Sequence, residues 1–404
     1  MQNKKQLKVS IVVSDLSSAG AGRWGGGGVR SFLLAQALQK LEYQVEILGF
    51  IFGNEPAVSS QSEIKVSSFN GYNYPRFLSS ASQLIKKIDG DIIYAMRPKA
   101  TTFGLSLLKR LKAKKPIILD IDDWELSWSG GEKWRYRPSL KQFARDVLKS
   151  EGALRNPDHQ LYIKWMEDIS YKADVITIHT QFLKKRFGGV YIPNGKDTSL
   201  FNPELYNYEE SKKRYGLSEY KILMFPGAPR PYKGVEDVLI ALDKLNDSTL
   251  KLVIVGGSPY DDYDTQLKEK WGRWIIQLPK QQSYQMPDIV AAADVIVVPQ
   301  RDTPAALAQF PLKLTDGMSM AKPILATKVG DIPDILGDTG YTVDSSNPGE
   351  IADKIKYIFQ NFEEAIEKGK TARERCIKNG SIFIWVHARE TTRFILPEGA
   401  EPGL

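Results

Sequence analysis

The chain has 404 residues, 42% apolar and 25% charged, proportions that exclude a disordered or fibrous protein and allow two hydrophobic cores. Three scattered histidines and a single cysteine, Cys376, exclude a disulfide framework and a zinc cluster and fit a reducing cytoplasm. A formal charge of +7 suits anionic partners such as nucleotide diphosphates or an anionic lipid surface. Without a zinc-finger spacing or an aromatic RNP-type strand, nucleic acid is not an expected partner.

No run approaches the roughly 18 apolar residues of a membrane span. The polar start Met1 to Lys8 leads into only about seven apolar residues, which reads as the approach to a buried strand rather than a secretion signal. The expected location is the cytoplasm, with any membrane contact peripheral and at the inner face.

In chain order, residues 9–13 are a short β-branched run, followed by a glycine-rich stretch and by helical apolar spacing from Val29 to Leu38. The same alternation predicts strands at 45–50, 91–95, 116–121 and 175–179, with helical stretches such as 101–111 between them. Strands separated by helices imply an α/β fold with a parallel, doubly wound sheet. A second set of strands is predicted at 222–225, 250–255, 274–278, 295–299 and 323–327. Turn formers from Pro193 to about Tyr220 mark a hinge between the two sets. The expected organisation is a first Rossmann-like domain at 1–205, a second at 206–380, and a helix within 381–404 that returns to the first, with the working cleft between domains. Residues 127–165 contain Trp128, Trp134, Arg135, Tyr136 and Arg137 but no obvious strand, and read as an insertion.

Chemistry is concentrated after two strands of the second set. The strand at 222–225 runs into Gly227, Arg230, Lys233 and Gly234 before a helix opens near Val235. Two cations and a helix N-terminus at the end of a parallel strand suit a diphosphate, Arg230 gripping oxygens bidentately and Lys233 acting as a point charge. A solvated basic loop is the plainer reading. After the strand at 295–299 comes Phe310-Pro311-Leu312-Lys313, with Asp316 one turn on. Pro311 suits the first position of a helix whose free N–H groups face the cleft. The Asp316 carboxylate can accept both hydroxyls of a ribose, or simply face water as a helix residue.

The order and spacing of these pieces resembles the family 4 retaining glycosyltransferases of GT-B fold over nearly the whole chain. The matching stretches are Gly25 to Gly28, 173–180, Ile192 to Asp197 with Phe201, the Arg230/Lys233 loop, Val255-Gly-Gly257, 293–299, and Pro311 to Gly330. The resemblance implies a nucleotide-sugar donor gripped by Arg230 and Lys233, a ribose held by Asp316, and donor contacts from Gly227, Gly257, Phe310, Pro311, Leu312 and Lys313. It also implies that the backbone of Gly26, Gly27 and Gly28 approaches the donor, which only residues without a Cβ allow.

Two positions depart from the family pattern. Ala308 stands where the family has its first Glu, near the transferred sugar; the amides of residues 310–312 or Asp302 are the candidates to replace it. Asp122, in Asp120-Ile-Asp122-Asp123-Trp124, stands where many members have a His. The implied activity is transfer with retention, with neither metal nor cofactor. Arg230 and Lys233 would stabilise the leaving diphosphate, and Asp122 would orient the acceptor hydroxyl. Arg97, Asp123, Trp124 and Trp128 would line the acceptor side, for a glycan, lipid or small-molecule hydroxyl. The rivals are a nucleotide-sugar 2-epimerase, recruiting His179 and Asp122, and a donor-binding pseudoenzyme, suggested by Ala308.

Overall fold

The computed structural model describes residues 6–17, 28–53, 64–258 and 261–380. The chain divides into two compact units between Pro193 and Asn194, ahead of the expected boundary at 205. The turn formers after Pro193 read as a linker, but Phe201 is buried in a core of the second unit. Its carbonyl accepts from Arg373 Nη1 at 2.8 Å, so this stretch belongs to the second unit. The helix expected at 381–396 lies outside the described residues.

In the first unit, seven strands form a fully parallel sheet: β1 (Lys8–Val13), β2 (Gln44–Phe52), β3 (Lys65–Gly71), β4 (Ile92–Met96), β5 (Ile117–Ile121), β6 (Val175–Ile178) and β7 (Val190–Tyr191). Their spatial order is β3-β2-β1-β4-β5-β6-β7, so the winding reverses between β1 and β4. The edge strands β3 and β7 are additions to the predicted set. β3 is polar and only partly buried, and β7 has two residues, so neither shows the apolar run of a central strand. The stretch predicted as helix at 101–111 opens as a π-helical turn, Ala100–Gly104, and continues as the α-helix Leu105–Ala113. Residues 127–165 form 3-10 turns, the helix Leu140–Leu148 and the start of the helix Gln160–Asp168.

The second unit repeats the plan with β8 (Lys221–Pro226), β9 (Leu250–Val255), β10 (Ile275–Leu278), β11 (Val295–Val298), β12 (Ile324–Thr327) and β13 (Tyr341–Val343), all parallel. The order is β10-β9-β8-β11-β12-β13; here the reversal falls between β8 and β11. Alternation along the strands builds two cores. Leu223, Phe225, Leu252 and Ile254 face one side, against Val235, Leu239 and Leu242 of the helix Val235–Leu245. Ile222, Met224, Val253 and Val255 face the other, against Leu314 and Met318. A strand apolar on both faces is buried on both, which is why β8 reads as a continuous run and β9 as one interrupted only by Lys251.

Gly234 is the pivot between the loop after β8 and the helix that follows. Its φ is +70°, and a Cβ there would come within 1.8 Å of the Pro299 carbonyl oxygen. Gly234→Ala is therefore expected to destabilise the protein by roughly 2 kcal/mol or more. An unchanged midpoint in chemical denaturation would contradict that packing.

Candidate active site

In open parallel sheets, ligands bind outside the carboxyl ends of strands where the winding reverses. In the second unit that point follows β8 and β11. Gly227 turns the chain out of β8, its N–H donating to Val255 O at 3.1 Å. The 3-10 turn Pro231–Lys233 then brings round Arg230 and Lys233 ahead of Gly234. Arg230 is buried and donates from Nη1 to Asp261 at 2.6 Å. Lys233 donates to the Ala228 carbonyl at 3.0 Å.

Lys313 approaches from the helix Leu312–Ser319, its ammonium 4.6 Å from the centre of the Phe225 ring. Pro311 is the N-cap of this helix rather than its first residue, as expected from the sequence, with φ −79° and ψ 77°. Burial, with repulsion from Lys313 and Arg230, holds the Lys233 ammonium well below the usual lysine range. Burial lowers Lys313 to about 8, with Asp316 pulling the other way. Three cations crowded in a partly dry setting repel one another, and the arrangement favours an anion that bridges them.

Asp316 is buried on the same helix, its carboxylate paired with Lys196. The Lys196 ammonium also lies 3.5 Å from the centre of the Phe201 ring. The acid expected to hold a ribose thus already has a cation, supplied by the Ile192–Asp197 stretch. Phe310 and Pro311 are buried beside Leu312. Ala308, expected at the place of the family Glu, is fully buried, and its side chain is a methyl with no polar atom. Asp302 is exposed, its N–H donating to Ser345 Oγ at 3.1 Å. Gly256 and Gly257 border a polar pocket of about 430 Å³ with Asp264, Gln277 and Lys280. A Cβ on Gly257 would meet Asp264 at 2.6 Å.

In the first unit the reversal lies between β1 and β4, and buried charge gathers there too. Arg97 follows β4 with a left-handed φ of 70°. Its guanidinium donates to Asp122 from Nε at 2.5 Å and to Glu125 from Nη1 at 2.6 Å, with Asp123 at 3.8 Å. Lys99 approaches Glu125 at 3.2 Å and Asp158 at 3.7 Å. Asp158 accepts from Ser14 at 2.7 Å and from Thr101 at 2.8 Å. Behind this layer Arg30 makes a two-pronged pair with Asp120 at 2.7 and 2.9 Å.

Burial alone would raise Asp122, but Arg97 and His179 outweigh it and hold its carboxylate below the usual range. Burial pushes Asp123 up to about 7, the Glu125 and Asp122 charges adding to it against the pull of Arg97. Asp123 accepts from Trp128 Nε1 at 3.2 Å, and its Oδ1 is buried without a hydrogen-bond partner among the described residues. Arg97, expected to reach the acceptor, spends its donors on these carboxylates. Trp124, expected to stack on the acceptor, is buried with Arg186 stacked 3.8 Å from its ring centre and the Phe182 ring at 6.0 Å. Gly28 opens the helix Gly28–Lys40, whereas Gly26 and Gly27 lie outside the described residues.

Residues 220–361 match the family model described as glycosyl transferases group 1. The N-acetyl-alpha-D-glucosaminyl L-malate synthase of Bacillus anthracis is 23% identical over 323 residues, 77% of this chain and 77% of that protein. The GDP-mannose-dependent alpha-(1-6)-phosphatidylinositol monomannoside mannosyltransferase of Mycobacterium tuberculosis is 26% identical over 217 residues, 50% of this chain and 56% of its own length. Among solved structures, Anabaena HepE in complex with UDP-glucose superposes with a TM-score of 0.71 at 14% identity, covering 97% of this chain and 100% of that one. The sucrose-phosphate synthase of Thermosynechococcus elongatus gives 0.70 at 17% identity, covering 96% and 98%.

Two parallel, doubly wound domains of this kind constitute the GT-B fold. The second unit carries, over residues 220–361, the match to glycosyl transferases group 1.

The lowered Lys313 has a consequence that can be measured. Below about pH 8 both folded and unfolded chains carry its proton, and the cost of burying that charge is fully present. Between 8 and the ordinary value of 10.5 the folded chain loses the proton first, so the empty protein gains stability as pH rises through this window. A diphosphate bound beside Lys313 would favour the charged form. Binding near pH 8 should therefore take up protons, and affinity should fall as pH rises further. Calorimetry in two buffers of different ionisation enthalpy reads the uptake; equal heats and a flat affinity profile would refute the coupling.

Proposed function

We propose that this chain is a glycosyltransferase that takes its sugar from a nucleotide-diphosphate donor held in the second unit, and delivers it with retention to a hydroxyl of a glycan, lipid or small-molecule acceptor. The observation that carries this reading is the convergence of Arg230, Lys233 and Lys313 beyond the ends of β8 and β11. Relatives fit it: the mycobacterial protein is named as GDP-mannose-dependent, and HepE was crystallised with UDP-glucose.

In this proposal the three cations neutralise the diphosphate as the sugar–oxygen bond breaks, which is the task a metal performs in other transferases. The reaction then requires neither metal nor organic cofactor. The pocket beside Gly256 and Gly257 receives the base, and the pair of Asp316 and Lys196 meets the ribose, the carboxylate as acceptor and the ammonium as donor. On the acceptor side, Asp122 and Asp123 take hydrogen bonds from the incoming hydroxyl. Arg97 holds Asp122 ionised and in place, while Trp128 fixes Asp123. No side-chain nucleophile is invoked; rate comes from positioning and from stabilising charge on the leaving group. The work is assigned to the cytoplasm.

Arg230→Ala and Lys233→Ala should each lower turnover by roughly 100-fold or more, the scale of losing one charge-stabilising donor, with the fold retained and a cooperative melt. Mass detection of released nucleoside diphosphate measures the first and a thermal melt the second. Full turnover in both variants would remove the phosphate site from these residues. Buried Ala308 favours one second reading, a donor-binding protein without turnover. That reading predicts nucleotide-sugar binding that depends on Arg230 but no released diphosphate with any acceptor.

A further inference from the structure

The helix Leu140–Leu148 is attached to the first unit chiefly through polar groups. Of its nine residues only Asp146 is buried, accepting from the Tyr136 hydroxyl at 2.8 Å. From the turn that follows, Arg155 Nε donates to the Val147 carbonyl at 3.1 Å. The apolar side chains point away from any core: Leu140 is 90% exposed, Phe143 48%, Val147 40% and Leu148 72%. At 100° per residue, positions 140, 143 and 147 fall on one stripe with 148 at its border, while Lys141, Arg145 and Lys149 lie along the opposite flank.

The surroundings indicate what this stripe meets. A groove of about 790 Å³ runs beside it, lined by Phe143, Val147 and Leu148 together with Tyr74, Tyr162 and Trp165. Trp165 is half exposed, its ring 5.6 Å from that of Tyr162, and rings with one apolar body and one polar edge suit a membrane interface. Residues 133–155 carry seven lysines and arginines against two acids, buried Asp146 and Glu151. Five of the chain's seven excess positive charges therefore lie in this one segment. A second copy docking face to face would bring like charges together, whereas an anionic lipid surface complements both the stripe and the cations.

We propose that this face docks on an anionic lipid bilayer, with Leu140, Phe143 and Leu148 entering the acyl boundary and the flanking lysines and arginines meeting lipid phosphates. Docking does not depend on the transfer reaction, but it bears on acceptor choice. His159 packs against Tyr136 and Tyr162 at the groove, with ring centres 5.5 and 6.2 Å apart. Its neighbour Asp158 belongs to the charged network at the ends of β1 and β4. An acceptor borne by the membrane would reach that network from the groove.

The test is flotation of the full chain with vesicles of equimolar phosphatidylglycerol and phosphatidylcholine, and with vesicles of phosphatidylcholine alone. The expected result is binding to the anionic vesicles, weakened by salt, and at least about tenfold weaker in a Leu140→Gln, Phe143→Gln, Leu148→Gln variant. These side chains are exposed, so the variant should melt like the parent. Calorimetric binding of nucleoside diphosphate reports separately on the donor site, and should be equal in both proteins. No flotation of the parent, or equal flotation of the variant, would overturn the proposal. So would failure to float combined with self-association that the three substitutions abolish, since the face would then belong to a second copy.

Discussion

Parallel strands all end at the same edge, and the rest of this structure depends on that constraint. Each connection must cross the sheet and return, so the loops that follow the strands collect at the carboxyl edge. The reversal of winding opens the crevice between β1 and β4 in one unit and between β8 and β11 in the other. Arg97 follows β4 and Arg230 follows β8, each at the reversal of its own sheet. The cores need only pack the faces. Function was left to short loops whose position the sheet determines.

The two reversals carry opposite electrostatics. Beyond β8 the side chains are mainly cationic, and repulsion from Lys313 and Arg230 adds to burial in depressing the Lys233 ammonium. Beyond β4 and β5, Arg97 and Lys99 are surrounded by Asp122, Asp123, Glu125 and Asp158, and burial among other carboxylates raises Asp123 to about 7. One site is short of negative charge and the other is crowded with it. Such imbalance costs stability in the empty protein and is expected where a ligand or a reacting group completes the set. An anionic donor and a neutral, hydroxyl-bearing acceptor fit that division.

Much of this was legible in the sequence, for a physical reason. Strands β1, β8 and β9 are buried on both faces and therefore appear as mainly apolar runs, interrupted only by Ser10 in β1 and Lys251 in β9, and such strands fix where the loops after them lie. The cations at 230, 233 and 313 could be assigned to one edge on that basis. Edge strands β3 and β13 were missed because one is polar and the other three residues long. The division after Pro193 differs from the expected 205 because turn formers do not reveal that Phe201 packs into the second core. The pairing of Lys196 with Asp316 joins positions 120 residues apart, and no local pattern predicts it. Arg97 and Trp124 stand out in the sequence, but their burial and partners are decided by tertiary packing. The helix at 140–148 falls in the stretch that reads as an insertion, and that its apolar side faces outward is decided by tertiary packing.

The central claim is that the second unit is built around a diphosphate. Titration of the purified chain, in chelator, with a series of nucleosides and their diphosphates measures it directly. The account predicts that for at least one base the diphosphate binds roughly 100-fold or more tightly than its nucleoside, the two phosphates engaging the three cations. Equal affinities across every pair, or no binding of any diphosphate, would contradict it.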